Sequence, residues 1–112
     1  MRLPAERSKY GNKRAESRDG HVFPSKRERD RYEELKLLER AGEITDLRLQ
    51  PKFGLRGLKG GLVGMYVADF EYREHGVKVI EDVKSRPTRT AVYRLKAKLM
   101  KDNYGVEIRE VE

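Results

Sequence analysis

The sequence predicts an α/β fold with a central mixed β-sheet flanked by helices. Two segments, 25–41 and 89–103, carry apolar residues at helical spacing. The segments between and after them are rich in Val, Ile, Leu, Tyr and Phe, which is typical of strands. The resulting order of helix, strand, hairpin, helix and strand favours a mixed sheet covered by helices. A chain of 112 residues is long enough for one such domain.

The first twenty residues are basic and poor in apolar side chains. We interpret 1–12 as a flexible basic arm and 13–112 as the single folded domain. A turn signal at Asp19-Gly20 comes just before the apolar pair Val22 and Phe23. This arrangement predicts a small hairpin ahead of the first helix.

The first helix has clear signals at both ends. Ser25 is a predicted N-cap, and Glu28, three residues further on, completes a capping box. Gly42 stands where a C-terminal cap belongs. Between them runs an apolar stripe at helical spacing, formed by Tyr32, Leu35, Leu38 and Ala41.

The residues after this helix predict a strand and then a loop. Residues 44–49 alternate in part and are followed by Pro51, which ends a strand. Residues 54–61 hold four glycines together with Arg56 and Lys59, and we expect a flexible basic loop that can touch DNA. The loop has no Gly-Lys-Ser/Thr ending, so it is not a Walker phosphate-binding loop.

Residues 62–72 and 77–83 are strand-like, and Glu74-His75-Gly76 between them is a hairpin turn signal. A second helix is predicted over 89–103, ended by Gly105, with a last strand over 106–111. The predicted apolar side of this second helix consists of Val92, Leu95 and Leu99. Its predicted basic stripe consists of Arg94, Lys98 and Lys101.

The composition limits the possible chemistry. Without cysteine and with only two histidines, the chain offers no disulfide, thiolate nucleophile, zinc finger or histidine-rich metal site. Carboxylates, lysine, hydroxyls and a hard metal ion remain. The net charge of +7 favours a polyanionic partner, most simply nucleic acid. We find neither a membrane span nor a signal peptide and expect a cytoplasmic protein.

Two aspartates and a lysine could form a reactive cluster. If the hairpin loop is the pair His75-Gly76, Asp69 lies opposite Asp82 with Cβ atoms roughly 5 Å apart, and Lys84 projects from the same face. Two facing carboxylates repel, and bound Mg²⁺ (or Mn²⁺) would relieve that repulsion. The alternative is a solvated polar face in which Lys84 only pairs with Asp82. A different loop length would instead place Glu81 opposite Asp69.

An aspartate near the end of one strand, followed across a short hairpin by Asp-x-Lys, resembles the PD-(D/E)XK nuclease superfamily. Over 9–112 the chain is similar to a small phage-encoded family of endonuclease-like proteins, which in turn resemble Holliday junction resolvases. Five blocks carry this resemblance: Lys9-Tyr10-Gly11-Asn12-Lys13, Phe23-Pro24-Ser25-Lys26-Arg27-Glu28, Leu49-Gln50-Pro51-Lys52-Phe53, Tyr66-Val67-Ala68-Asp69-Phe70 and Val79-Ile80-Glu81-Asp82-Val83-Lys84.

The resemblance implies a restriction-endonuclease-like core and a metal ion held by Asp69, Asp82 and the backbone carbonyl of Val83. It assigns catalysis to Lys84, and it adds a glutamate from the first helix, which matches Glu28. As the third helical residue, Glu28 is also explained by capping alone, so both interpretations stay open. Where the superfamily commonly has proline before the first aspartate, this chain has alanine.

The function implied is that of a Mg²⁺-dependent endonuclease acting on branched phage DNA, in the host cell cytoplasm and as a homodimer. An alternative is a non-catalytic basic nucleic-acid-binding protein, and another is an inactive nuclease fold that serves a structural role. The residues expected to contact DNA phosphates are Lys9, Lys13, Arg14, Arg56, Lys59, Arg94, Lys98 and Lys101.

Overall fold

The computed structural model describes residues 14–84 and 89–112. The predicted arm, with Lys9 and Lys13, lies outside the described residues. The described elements are β1 (Ala15–Glu16), β2 (Val22–Phe23), α1 (Lys26–Arg40), β3 (Ile44–Leu49), β4 (Lys52–Arg56), β5 (Leu62–Val67), β6 (Phe70–Glu74), β7 (Val77–Val83), α2 (Ala91–Tyr104) and β8 (Arg109–Val111).

A four-stranded sheet with the order β3-β6-β7-β8 forms the centre of the fold. The pairs β3–β6 and β6–β7 are antiparallel, whereas β8 runs parallel to β7. The protein therefore has a mixed α+β fold in which two helices flank a mixed sheet, and the predicted fold class is confirmed. No helix in the described ranges is long and apolar enough to cross a lipid bilayer.

The sheet is covered on both faces. Because side chains alternate along a strand, Val79 and Ile80 of β7 point to opposite sides. Val79 belongs to a core that includes Tyr32 and Leu35 of α1, while Ile80 belongs to a second core with Tyr93 and Met100 of α2. The hairpin β4–β5 completes the second core. We call these the α1 side and the α2 side of the sheet.

The predicted ends of the first helix are confirmed. Ser25 caps α1, since its hydroxyl accepts a hydrogen bond of 3.2 Å from the N–H of Glu28. Gly42 has a φ of 80°, which is the left-handed conformation that glycine adopts without strain. The N–H groups of Gly42 and Glu43 bond to the carbonyls of Glu39 and Leu38, which closes a Schellman motif.

Both predicted hairpins are present. Strands β1 and β2 pair antiparallel around the turn at Asp19-Gly20. Strands β6 and β7 are joined by His75 and Gly76, with φ values of 52° and 78°. Positive φ at both central residues is the type I′ geometry that matches the twist of a two-residue hairpin.

The segment from 52 to 72 differs from the prediction. Instead of a flexible loop over 54–61, the chain forms strand β4 and a tight turn closed by Gly57 and Gly61, whose backbone groups bond at 2.9 Å. Gly54 lies inside β4 with Leu62 packed so closely over it that an added Cβ would come within 3.1 Å. The predicted single strand over 62–72 is two strands, because the chain passes from one sheet to another at Ala68 and Asp69.

The buried face of the second helix also differs from the prediction. Val92 and Leu95 are 63% and 57% exposed, whereas Tyr93 and Met100 are buried. Residues 93 and 100 are seven apart and lie on one side of the helix. Thr90 caps α2, and Gly105 ends it in the left-handed conformation. Val106 and Ile108 pack on the second core, and the last strand is shorter than expected.

Candidate metal-binding and catalytic site

Asp69 and Asp82 face each other where the β6–β7 hairpin reaches the end of the sheet. The hairpin pairs Glu74 with Val77 and continues in register to Phe70 and Glu81, so Asp69 follows opposite Asp82. The N–H of Asp69 lies 2.9 Å from Oδ1 of Asp82 and 3.2 Å from the carbonyl of Glu81. The predicted two-residue loop is therefore confirmed, and the alternative that places Glu81 opposite Asp69 is wrong.

Hydrogen bonds fix both carboxylates. Oδ2 of Asp69 accepts a bond of 2.8 Å from the N–H of Val83, and Oδ2 of Asp82 accepts one from the hydroxyl of Tyr66. Asp82 is only 2% exposed. Asp82 is thus not on a solvated polar surface, as the alternative interpretation requires, and hydrogen bonds hold both side chains in place.

The pair carries an electrostatic penalty in its ionised form. Burial, followed by the charge of Asp82, raises the pKa of Asp69 to about 6, although the N–H of Val83 and the charge of Lys84 act in the opposite direction. Burial also raises the pKa of Asp82, against the effect of its bond from Tyr66 and of Lys84. Two facing carboxylates with raised pKa values, one buried and one half-buried, favour binding a proton or a cation between them.

Glu28 belongs to the same charge cluster. Burial and the charges of Asp69 and Asp82 raise its pKa to about 7, and Lys84 lowers it. Its N–H makes the cap with Ser25, but the described hydrogen bonds include none from the Ser25 N–H to the Glu28 carboxylate. Glu28 therefore contributes its backbone to the cap while its carboxyl group interacts with the two aspartates.

Lys84 supplies a positive charge that interacts with this cluster. Its backbone N–H bonds to the carbonyl of Val111 at 2.8 Å, which ties the end of β7 to β8. Its ammonium Nζ lies 4.5 Å from the centre of the Tyr93 ring. Because its charge lowers the pKa of Glu28, Asp69 and Asp82, it interacts with all three predicted acidic site residues.

The donor set fits a hard divalent cation. Carboxylate oxygens and a backbone carbonyl are the ligands that Mg²⁺ and Mn²⁺ prefer, and Mg²⁺ is commonly held by only one or two carboxylates. Within the described ranges, no three His, Cys, Asp or Glu side chains stand close enough together to form a metal-binding group. Asp69 and Asp82 are accordingly the central ligand candidates, with Val83 beside them and Glu28 further out.

Of the predicted phosphate-contacting residues that the structure describes, five lie on the β4–β5 hairpin or on α2, whereas Arg14 directly precedes β1. Lys59 and Lys98 are exposed, and so is Arg14 near the start of the described chain. Arg56 bonds to the carbonyl of Gly60 at 2.9 Å within its own hairpin. Lys101 pairs with Glu107 at 2.8 Å, and Arg94 bonds to the carbonyl of Arg89 at 2.7 Å.

Sequence reasoning missed the contacts that two tyrosines and one buried carboxylate make. The hydroxyl of Tyr66 binds Asp82, and the ring of Tyr93 lies beneath Lys84. Glu81 is fully buried on the α1 side, where Arg31 binds both of its oxygens. Alternation along 77–83 places residue 81 on the same face as Val79, which is a signal that it needs a buried cationic partner.

Fold and site together describe a mixed α+β domain with a buried acidic cluster next to a lysine. The chain belongs to the family described as "Protein of unknown function (DUF1064)", which matches residues 7–111. Neither a curated protein nor a solved structure matches the chain.

Proposed function

We propose that this protein is a divalent-cation-dependent DNA endonuclease of the PD-(D/E)XK type that hydrolyses phosphodiester bonds in branched DNA. The observation that carries the proposal is the pair of buried Asp82 and half-buried Asp69 with Lys84 beside it. A pair of carboxylates that lacks a bound cation is unfavourable in this position, and its hydrogen bonds nevertheless keep it assembled.

Asp69, Asp82 and the carbonyl of Val83 would hold Mg²⁺ or Mn²⁺, with Glu28 near enough to interact with it. A bound divalent ion supplies positive charge that stabilises a reacting phosphate and lowers the pKa of water. Without the ion, burial raises the pKa of both aspartates, so that a proton competes with the ion for the site.

The chain's own groups would act on the phosphate and on the attacking water. The ammonium of Lys84 can donate hydrogen bonds to a phosphate oxygen as negative charge develops there, or it can orient the water. Glu28, with a pKa of about 7, can accept a proton near neutral pH. Tyr66 keeps Asp82 in the orientation that the site requires.

Binding to DNA would rest on its phosphates. The net charge of +7 and the exposed lysines of the α2 side support backbone contacts that carry no sequence information. Lys9 and Lys13 of the arm would add to them. Because branched DNA has two-fold character, we propose that the protein acts as a homodimer. We propose the host cell cytoplasm as its location.

The test compares junction, flap and linear duplex DNA incubated with and without Mg²⁺. We expect cleavage of branched DNA that requires the ion, and a loss of at least about 100-fold in Asp82→Asn and in Lys84→Ala with DNA binding retained. Lys78→Ala is the matched control, since Lys78 is exposed on the same strand and pairs with Glu71 outside the cluster. Full cleavage in EDTA, or by Asp82→Asn, would contradict the assignment.

The net charge also supports a second candidate, a non-catalytic nucleic-acid-binding protein. That candidate predicts binding that does not depend on Asp69, Asp82 or divalent ions, and no cleavage of any substrate. The same experiment separates the two candidate functions. The Asp82 and Lys84 variants and EDTA should abolish cleavage by a nuclease, and they should leave the DNA binding of a non-catalytic protein unchanged.

A further inference from the structure

Lys84 and Tyr93 form a contact that ties the proposed reactive lysine to the second helix. The lysine directly follows the strand that carries Asp82, and the tyrosine lies in the first turn of α2. Nζ of Lys84 is 4.5 Å from the centre of the aromatic ring, which is within the range of a cation–π interaction. This contact joins the end of the central strand β7 to α2.

The ring itself is held firmly. Tyr93 is 7% exposed, and its hydroxyl donates a hydrogen bond of 2.8 Å to Oε2 of Glu110. Arg89 binds the other oxygen of Glu110 at 2.7 Å. The N–H of Tyr93 also bonds to the hydroxyl of Thr90 at 3.1 Å. Helix cap and ion pair together fix the position and tilt of the ring.

Lysine needs such a support at this location. The lysine side chain is a flexible four-carbon stem, and three carboxyl groups near it compete for its ammonium group. Within the described part of the chain, the Lys84 ammonium is nevertheless not within ion-pair distance of any of them, and it lies on the ring instead. A lysine held beside the carboxylates, and not bound to one, keeps its N–H donors available to a phosphate.

We propose that Tyr93 is a positioning residue for Lys84, and that the Arg89–Glu110 pair fixes Tyr93 for this purpose. The expected effect on catalysis rests on the proposed nuclease function. The contact between Lys84 and Tyr93 does not depend on that function. Removing the ring should release Lys84 to the acidic cluster and lower kcat, with little change in KM, since the ring is buried and offers little surface to DNA.

The kinetic test compares two variants of the ring. Tyr93→Phe retains the π face and loses only the bond to Glu110, so we expect kcat within about threefold of the wild type. Tyr93→Leu removes the π face, and we expect kcat to fall about 5- to 30-fold, which corresponds to about 1–2 kcal/mol at 1.36 kcal/mol per factor of ten.

Loss of packing could also lower activity, and Met100→Ala controls for it. Met100 is fully buried in the same core and lies about two turns after Tyr93 on the same helix, but it offers no π face to Lys84. We expect it to lower the melting temperature at least as much as Tyr93→Leu while kcat per folded molecule stays normal. An equal fall of kcat in both variants would overturn the positioning role.

A measurement without substrate keeps the inference separate from the nuclease proposal. In the NMR spectrum of protein labelled on its lysine ε-methylenes, ring current should shift the Lys84 signal upfield, and the signal is assigned by its loss in Lys84→Ala. It should persist in Tyr93→Phe and return to the ordinary position in Tyr93→Leu. An unshifted Lys84 signal in the wild type would overturn the inference; a shifted signal in a protein that cleaves no DNA would overturn the proposed function alone.

Discussion

Two adjacent residues of β7 are buried carboxylates with opposite surroundings. Glu81 points to the α1 side, where Arg31 donates two hydrogen bonds of 2.7 and 2.9 Å and Tyr72 donates a third of 2.6 Å. Its charge has a guanidinium of its own. This carboxylate joins the first helix to the sheet, and its role is structural.

Asp82 points to the α2 side, where its partners are the hydroxyl of Tyr66, a backbone N–H and a second aspartate. The nearby cation, Lys84, rests on the ring of Tyr93. Burial raises the pKa of Asp82 and of Asp69, and among the described residues neither aspartate has a guanidinium partner such as the one that Arg31 provides for Glu81. The comparison teaches that the partner of a buried carboxylate, more than its burial, distinguishes a structural group from a ligand.

The largest effect is expected from removing the partner of the structural carboxylate. Arg31→Met leaves Glu81 buried without its cation and should lower the free energy of unfolding by about 3 kcal/mol, measured by urea denaturation. Arg27→Met is the matched control on the exposed part of the same helix and should change it by less than about 0.5 kcal/mol. Equal effects of the two variants on the free energy of unfolding would contradict the structural role of the Arg31–Glu81 pair.

The acidic cluster should gain stability from a cation. Mn²⁺ at about 100 times its dissociation constant stabilises a native site by about 2.7 kcal/mol, which corresponds to a rise in melting temperature of roughly 10 °C for a domain of this size. Asp69→Asn and Asp82→Asn should lose most of this rise. Glu71→Gln, which removes a carboxylate from the same hairpin outside the cluster, should retain it. A full rise in Asp82→Asn would exclude the aspartates as ligands.

In EDTA, the stability of the wild type should decrease as the pH rises from about 4 to about 7. The pKa values of Asp69 and Glu28 are raised to about 6 and about 7, so the folded protein holds protons that the unfolded chain has already released. The free energy of unfolding should fall by about 1–3 kcal/mol over this window. Asp69→Asn should flatten the profile and melt at or above the wild type at pH 8.

The opposite outcome of this titration is equally clear. A wild-type stability that increases between pH 5 and 7, with an identical profile in Asp69→Asn, would mean that the cluster is well solvated and carries no repulsion.

The smallest effect is expected in DNA binding, and it separates the two sides of the sheet. If the α2 side contacts phosphates, the Lys59→Ala and Lys98→Ala double variant should reduce the log–log salt slope by about 2, or about 0.9 per contact. Lys36→Ala with Arg40→Ala removes two cations from the α1 side and should leave the slope unchanged. A smaller slope in the second variant only would place the DNA on the other side.

The parts of the fold that depend on local chemistry could be predicted from the sequence. Ser25 and Gly42 determine the ends of α1 through their own side chain and backbone preferences. His75 and Gly76 fix a two-residue turn, and the register of the turn brings Asp69 opposite Asp82 without further information. The central feature of the site was therefore predictable from the length of one loop.

The parts that depend on tertiary packing could not. Four glycines suggested a loop over 54–61, yet β4 pairs with β5, and Leu62 packs over Gly54 in that pairing. Both sides of α2 carry apolar residues, so periodicity alone could not select Tyr93 and Met100 over Val92 and Leu95. The contacts of Tyr93 with Lys84, and of Arg31 with Glu81, join segments whose approach is set by the whole fold.

Direct titration of Mn²⁺ into the metal-free protein by calorimetry tests most directly whether the cluster is a cation site. We predict saturable binding of one ion per chain, at least tenfold weaker in Asp82→Asn and in Asp69→Asn and unchanged in Glu71→Gln. No saturable binding at millimolar Mn²⁺, or equal binding by wild type and Asp82→Asn, would contradict the account.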